Sequence, residues 1–116
     1  MDSIRDLTTR INAFRDARDW KQFHNPKDMA VSISIESAEL LEQFQWKNAK
    51  ECETHLQENR EAVADELADV AIYLFELADL LQMNLGHEML RKLEKNAANY
   101  PVEKARGSNL KYNRLD

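Results

Sequence analysis

Apolar residues recur along this chain at spacings of three and four, the period of an amphipathic helix. Ile4, Leu7, Ile11 and Phe14 make the first such stripe. It begins at Asp2 or Ser3, where Ser3 and Asp6 have the spacing of a capping box, and it fades at Arg18-Asp19-Trp20. Residues 19–25 read as a loop carrying Trp20, Phe23 and His24. Asn25-Pro26 opens a second helix, because Asn caps and Pro suits the first helical position. That helix runs to about Trp46 on a seam of Met29, Ile33, Leu40, Leu41 and Phe44. Residues 47–59 have weak periodicity and read as a connector, in part helical.

A third helix spans about 60–82, with Val63, Leu67, Val70, Leu74, Leu77 and Leu81 as its seam. Its middle, Ala71 to Phe75, is apolar on nearly every side. A helix apolar all round is buried all round. Four helices in a small monomer would struggle to cover it, so the pattern predicts an oligomer. Asn84 and Gly86 break this helix. A fourth follows with Leu85, Met89, Leu90, Leu93 and Ala97 inward and Pro101 past its end. Residues 102–116 lack a core pattern and read as a basic tail that orders on binding. The expectation is an all-α, four-helix bundle, one domain over 1–116 that assembles into an oligomer.

Composition narrows the class. A chain of 116 residues, 43% apolar and 32% charged, is the size of one globular domain. Two Gly and two Pro leave few turns, which favours long helices. The single Cys52 cannot form an internal disulfide, and no zinc-type spacing of Cys and His occurs. No apolar run is long enough for a membrane helix or a secretory signal. The expectation is a cytoplasmic protein with no membrane partner.

The net charge of −5 is mild, but its placement is uneven. Residues 28–46 and 61–90 hold 11 of the 21 acids and no Lys or Arg, whereas 91–116 hold seven bases against three acids. Dispersed bases on an acidic chain argue against nucleic acid as a partner. The acids need positive partners from elsewhere: metal ions, the tail, or water.

Two acidic pairs carry the candidate chemistry. Glu36 and Glu39 lie on the second helix, Glu66 and Asp69 on the third. Each pair is spaced i, i+3 and so shares a helix face. Glu36 falls beside the Ile33/Leu40 seam, and Glu66 and Asp69 flank Leu67/Val70, so the acids point partly inward. Four half-buried carboxylates repel at a cost of several kcal/mol per unpaired ion, on the order of what a divalent cation removes. Oxygen-only donors select Mg²⁺ or Mn²⁺ over zinc. Neither pair ends in His, unlike the Glu-x-x-His of di-iron bundles. The plain alternative is a solvated acidic face on a non-catalytic helical interaction or regulatory module.

The stretch IESAELLEQFQWK followed by DELADVAIYL resembles the MazG-like nucleotide pyrophosphohydrolases, all-α enzymes marked by ExxE, a gap, and ExxD. RDWKQFHNP at 18–26, FQWK at 44–47, Tyr73, and KLEKNAANYP at 92–101 are similar to the branch typified by dCTP pyrophosphatase. The resemblance covers about residues 4–112. It implies Mg²⁺-dependent cleavage of a nucleoside triphosphate between the α and β phosphates, with Mn²⁺ able to substitute. dCTP or a modified dCTP is the leading substrate, with other dNTPs such as dATP possible. By the same resemblance Glu36, Glu39, Glu66 and Asp69 hold the metal, and Glu39 also activates the attacking water. Trp20, His24, Trp46 and Tyr73 match positions lining the base and sugar site. Tyr73 also reads as core, and Trp46 equally as a structural helix end. Lys92 and Asn96 match phosphate-gripping positions, and Arg106, Lys111 and Tyr112 in RGSNLKY close over the phosphates. The family forms dimers and tetramers, and a tetramer is favoured here. Two departures bear on base preference: Ile11 stands where this branch often has His, and Ala97-Ala98-Asn99 replaces a basic run.

Overall fold

The computed structural model describes residues 3–115, so Asp2, one of the two expected starts, lies outside them. The chain divides into two compact units, Met1–Met83 and Asn84–Asp116. The first holds α1 (Ile4–Ala17), a 3₁₀ turn (Lys21–Phe23), α2 (Pro26–Glu42), α3 (Ala49–Glu58) and α4 (Arg60–Leu80). The second holds α5 (Leu85–Asn99), the one-turn α6 (Val102–Ala105) and a 3₁₀ turn (Tyr112–Arg114).

Local chemistry sets the helix starts. The Ser3 hydroxyl accepts from the Asp6 amide and Asn25 Oδ1 from the Asp28 amide, with Pro26 at the first position of α2. Both caps satisfy amides that the helix itself leaves unpaired. Residues 47–59 differ from a connector. They form α3, held by a complete capping box in which Asn48 and Glu51 exchange bonds of 2.9 and 3.0 Å. The described residues therefore carry five helices of ten residues or more, not four. α2 ends at Glu42, short of Trp46, because Gln43 and Phe44 bond to Leu40 and Leu41 in tighter i−3 fashion.

Helix ends also depart from expectation in an instructive way. α4 ends at Leu80, within two residues of the expected end at 82, and the residue that turns the chain is Gln82, not Asn84 or Gly86. Gln82 adopts φ 56°, and the amides of Met83 and Gln82 close onto the carbonyls of Ala78 and Asp79, both at 2.9 Å. This is a Schellman closure with Gln where Gly is usual. Asn84 instead caps α5 through the His87 amide, and Gly86 sits inside that helix. In the segment after Pro101, the expected tail contains α6 and the second 3₁₀ turn, with Tyr112 edge-on to Tyr100 at 6.0 Å.

α4 is the hub of the first unit, packed by α2, α1 and α3. Its core is thin. Among the described residues only Met29 and Val63 are fully buried apolar side chains. Leu67, Ile72, Leu74 and Leu81 on α4 stay exposed. The charged side chains Arg15 and Glu76 are buried alongside the core instead.

Candidate active site

Two turns of α2 face two turns of α4, and the acids stand at that junction. One carboxylate oxygen each from Glu36, Glu39 and Glu66 lie within 4.8 Å of one another. All three are half-buried. Glu36 Oε2 and Glu66 Oε2 are fully shielded from water and have no hydrogen-bond partner. An ionised oxygen in that state is disfavoured until a partner reaches it. Burial pushes the Glu36 carboxyl up to about 7, and the neighbouring Glu39, Asp69 and Glu66 add to the shift. Glu66 is raised as well, by burial first and then by Glu39. Glu36 therefore holds its proton for part of the time at neutral pH unless a cation joins it. The donor set is all oxygen and the orphaned oxygens lack a partner, so the residues fit a hard divalent ion such as Mg²⁺.

Asp69 is not one of the three converging acids. It lines an adjoining cavity of about 390 Å³, and its charge still reaches Glu36 and Glu66. The same cavity is lined by Trp20, His24 and Tyr73, three of the residues expected at a base site. Ile11, where the resembling branch has His, also lines it.

The local fold explains why Trp20 stands there. α1 ends in a second Schellman closure: Asp19 takes φ 55°, and the Trp20 amide bonds the Arg15 carbonyl at 3.1 Å. That motif brings the residue after the turn back onto the last helical turn. Trp20 accordingly packs edge-on against Phe14 at 5.8 Å. The Arg18 guanidinium sits 3.6 Å over the Phe14 ring and braces the pair. Trp20 remains 45% exposed, so one face of the indole is open to a ligand. Tyr73 projects from α4, and burial followed by the charge of Glu36 raises its hydroxyl. It keeps its proton and is a donor at neutral pH.

Trp46 behaves differently. It is 87% exposed on the turn after α2 and does not line this cavity. Within one chain it is uncovered because α2 ends before it. Lys92, Asn96, Arg106, Lys111 and Tyr112 all belong to the second unit. There Lys92 donates to Asn96 Oδ1 at 3.0 Å, and both line a groove on α5.

Among the cavity-wall residues that sequence reasoning missed are the two buried charges, Arg15 and Glu76. Their side chains are 8% and 4% exposed, and Arg15 Nη1 lies 3.8 Å from Glu76 Oε1. His24 Nδ1 approaches the same oxygen at 3.1 Å. The available signal was Glu76 itself, a lone acid in the apolar run of α4.

The chain is similar to known proteins over nearly its whole length. Residues 31–115 match the MazG-like family. The chain is 36% identical over 115 residues to dCTP pyrophosphatase 1 of Rattus norvegicus, covering 97% of this chain and 68% of that protein. The Homo sapiens protein of the same name gives the same identity and coverage. A crystal structure of a pyrophosphatase from Archaeoglobus fulgidus superposes with a TM-score of 0.80 and 45% identity, over 84% of this chain and 91% of the other.

Proposed function

Because the chain belongs to the MazG-like family, we propose that it hydrolyses nucleoside triphosphates to the monophosphate and pyrophosphate. The observation that carries this reading is the juxtaposition of three converging carboxylates, two with orphaned buried oxygens, and an aromatic-lined cavity that also contains Asp69. The names of the relatives support dCTP as the preferred substrate; the same reading takes in a modified dCTP, with other dNTPs such as dATP as secondary substrates.

In this reading Glu36, Glu39, Glu66 and Asp69 hold the metal. A bound Mg²⁺ would neutralise the cluster and make a water at the site more acidic. Glu39 lies next to both Glu36 and Glu66, and its carboxylate orients the attacking water and takes its proton. Trp20 stacks the base, an interaction worth about 1–3 kcal/mol. Tyr73 donates from its hydroxyl, and His24 approaches the base edge. Lys92 and Asn96 grip the phosphates, while Arg106, Lys111 and Tyr112 close over them. The whole of 1–116 then acts as one catalytic domain, with about 102–116 as its basic closing segment.

We further propose a homo-oligomer, a tetramer over a dimer. The support is the thin core, the exposed leucines and isoleucine of α4, and Trp46 in water. A large aromatic ring at that exposure gains from being covered by a second copy or by the base. A cytoplasmic location is the matching expectation. The lone Cys52 accords with it, and no helix among the described residues is long and apolar enough to cross a membrane.

The test is a product assay with each common dNTP and NTP plus Mg²⁺. Monophosphate and pyrophosphate, lost on adding a chelator, is the expected result. Diphosphate and phosphate would overturn α–β cleavage. No turnover with Mg²⁺ or Mn²⁺ would favour the non-catalytic helical module.

A further inference from the structure

One group of titratable side chains stands apart from the acidic cluster. Glu76 on α4, Arg15 on α1 and His24 before α2 meet at the wall of the aromatic cavity. Glu76 is 3% exposed and Arg15 7%, the two buried charged residues among the described ones. A buried ion pair with no further task is commonly replaceable by apolar residues without loss of stability. This one has a third member. His24 Nδ1 is buried, lies 3.1 Å from Glu76 Oε1, and makes no aligned hydrogen bond. Short but misaligned contacts are common in ligand-free sites and tighten on binding. Arg15, whose Nε donates to Asp16 Oδ1 at 2.9 Å, brings its Nη1 to 3.8 Å from the same Glu76 oxygen, so a cation stands beside the carboxylate whether or not His24 is engaged.

The partner of one ring nitrogen fixes the role of the other. An imidazole that donates from Nδ1 to a carboxylate leaves Nε2 bare, as an acceptor. Cytosine and adenine present an exocyclic amino donor on their pairing edge, whereas thymine and uracil present a carbonyl there. A bare Nε2 accepts from the first pair and meets the second lone pair to lone pair.

We propose that Glu76 is a positioning residue: braced by Arg15, its carboxylate holds His24 Nδ1 and turns Nε2 toward the cavity as an acceptor that selects nucleobases bearing an exocyclic amino group. This rests on the reading of the cavity as a base site and deepens it. The ring-nitrogen part stands without any turnover.

The test has two arms. ¹⁵N NMR of the histidine rings at alkaline pH, on the metal-free full chain, reads the tautomer of His24 directly. The expected pattern is a protonated Nδ1 and a bare Nε2 in the wild type, shifting toward protonated Nε2 in Glu76→Gln. A wild-type ring protonated on Nε2, or a pattern unmoved by the substitution, overturns the proposal even if the enzyme is active. The second arm compares dCTP with dUTP. Their ratio of kcat/KM is expected to fall by about tenfold in Glu76→Gln, the size of one hydrogen bond. It should not fall further when Glu76→Gln is added to His24→Ala. An equal loss for both nucleotides would mean a structural role and overturn the selectivity. Glu76→Gln leaves Arg15 with Asp16 as its acidic partner, and Arg15→Met with Glu76→Gln supplies the neutral pair if the single variant does not fold. A wild type inactive on every nucleotide would defeat the proposed function. In that case quenching of tryptophan fluorescence by deoxycytidine against deoxyuridine still decides the selectivity, with equal quenching overturning it.

Discussion

Glu66 and Glu76 project from the same helix into two clusters that differ in one respect. Glu76 is almost fully buried, yet a guanidinium and an imidazole stand beside it. Glu66 is only half-buried, yet its charged neighbours at the site are other carboxylates, and one of its oxygens has no partner. Depth of burial therefore does not separate structural acid from functional acid here. Completeness does. The Arg15–Glu76–His24 group is balanced by this chain's own residues. The Glu36–Glu39–Glu66 group is one that a divalent cation could balance, as the sign of its charge requires.

The sharpest way to break this contrast is Glu39→Gln, which removes a charge with little change of volume. Turnover should fall by roughly 10²- to 10⁴-fold, the usual worth of a positioned general base. The melting temperature of the metal-free protein should rise in the same variant, because one of the repelling charges has gone. A variant less stable than wild type without metal would show that the acidic group is not in tension.

Arg15→Met should give the opposite signature. It leaves the buried Glu76 carboxylate with His24 alone beside it, so urea unfolding should report a loss of about 3 kcal/mol, with or without Mg²⁺. Adding Glu76→Gln should recover part of it. If Arg15→Met were neutral, the second cluster would not be balanced in the sense argued here.

The acidic group also sets a pH dependence. Glu36 has a folded value of about 7 against 4.5 ordinarily. Between those values the folded chain keeps a proton that the unfolded chain releases. Stability of the metal-free protein therefore falls as pH rises from about 4.5 to about 7, then levels. Mg²⁺ at a hundredfold over its Kd should restore about 2.7 kcal/mol near neutral pH. Melting curves across a pH series, with and without Mg²⁺, check both statements. Metal-free stability rising across that window would contradict the cluster's origin.

The two clusters were unequally legible in the sequence. The acids of α2 and α4 could be read because their spacing and their neighbours on the seam are local facts. Arg15 was lost among the neighbouring charges Asp16, Arg18 and Asp19, and Glu76, though visible as a lone acid in an apolar run, does not reveal that its partners lie on other elements. Helix existence was legible where an apolar stripe was long. Residues 47–59 read as a connector because the stripe is short, although Asn48 and Glu51 carry a capping box in plain view. The end of α4 was legible to within two residues, but its turning residue was not, because Gln82 does a job that Gly signals elsewhere. Trp46 illustrates a further limit: its sequence context marks it for a site, but within one chain it stands 87% exposed.

The smallest expected effect is the control that keeps the comparison honest. Asn48→Ala breaks the capping box of α3, where Asn48 Oδ1 accepts from the Glu51 amide at 2.9 Å. Loss of such a cap costs about 1 kcal/mol. α3 packs on α4 but contributes no residue to the acidic group or to the aromatic cavity. The loss should therefore be the same with and without Mg²⁺ and leave the pH slope between 4.5 and 7 untouched. Chemical denaturation under the four conditions measures it. If the cost of Asn48→Ala changed with Mg²⁺, the metal would be tightening α4 as a whole, and the local balance of charge would no longer account for the acidic cluster by itself.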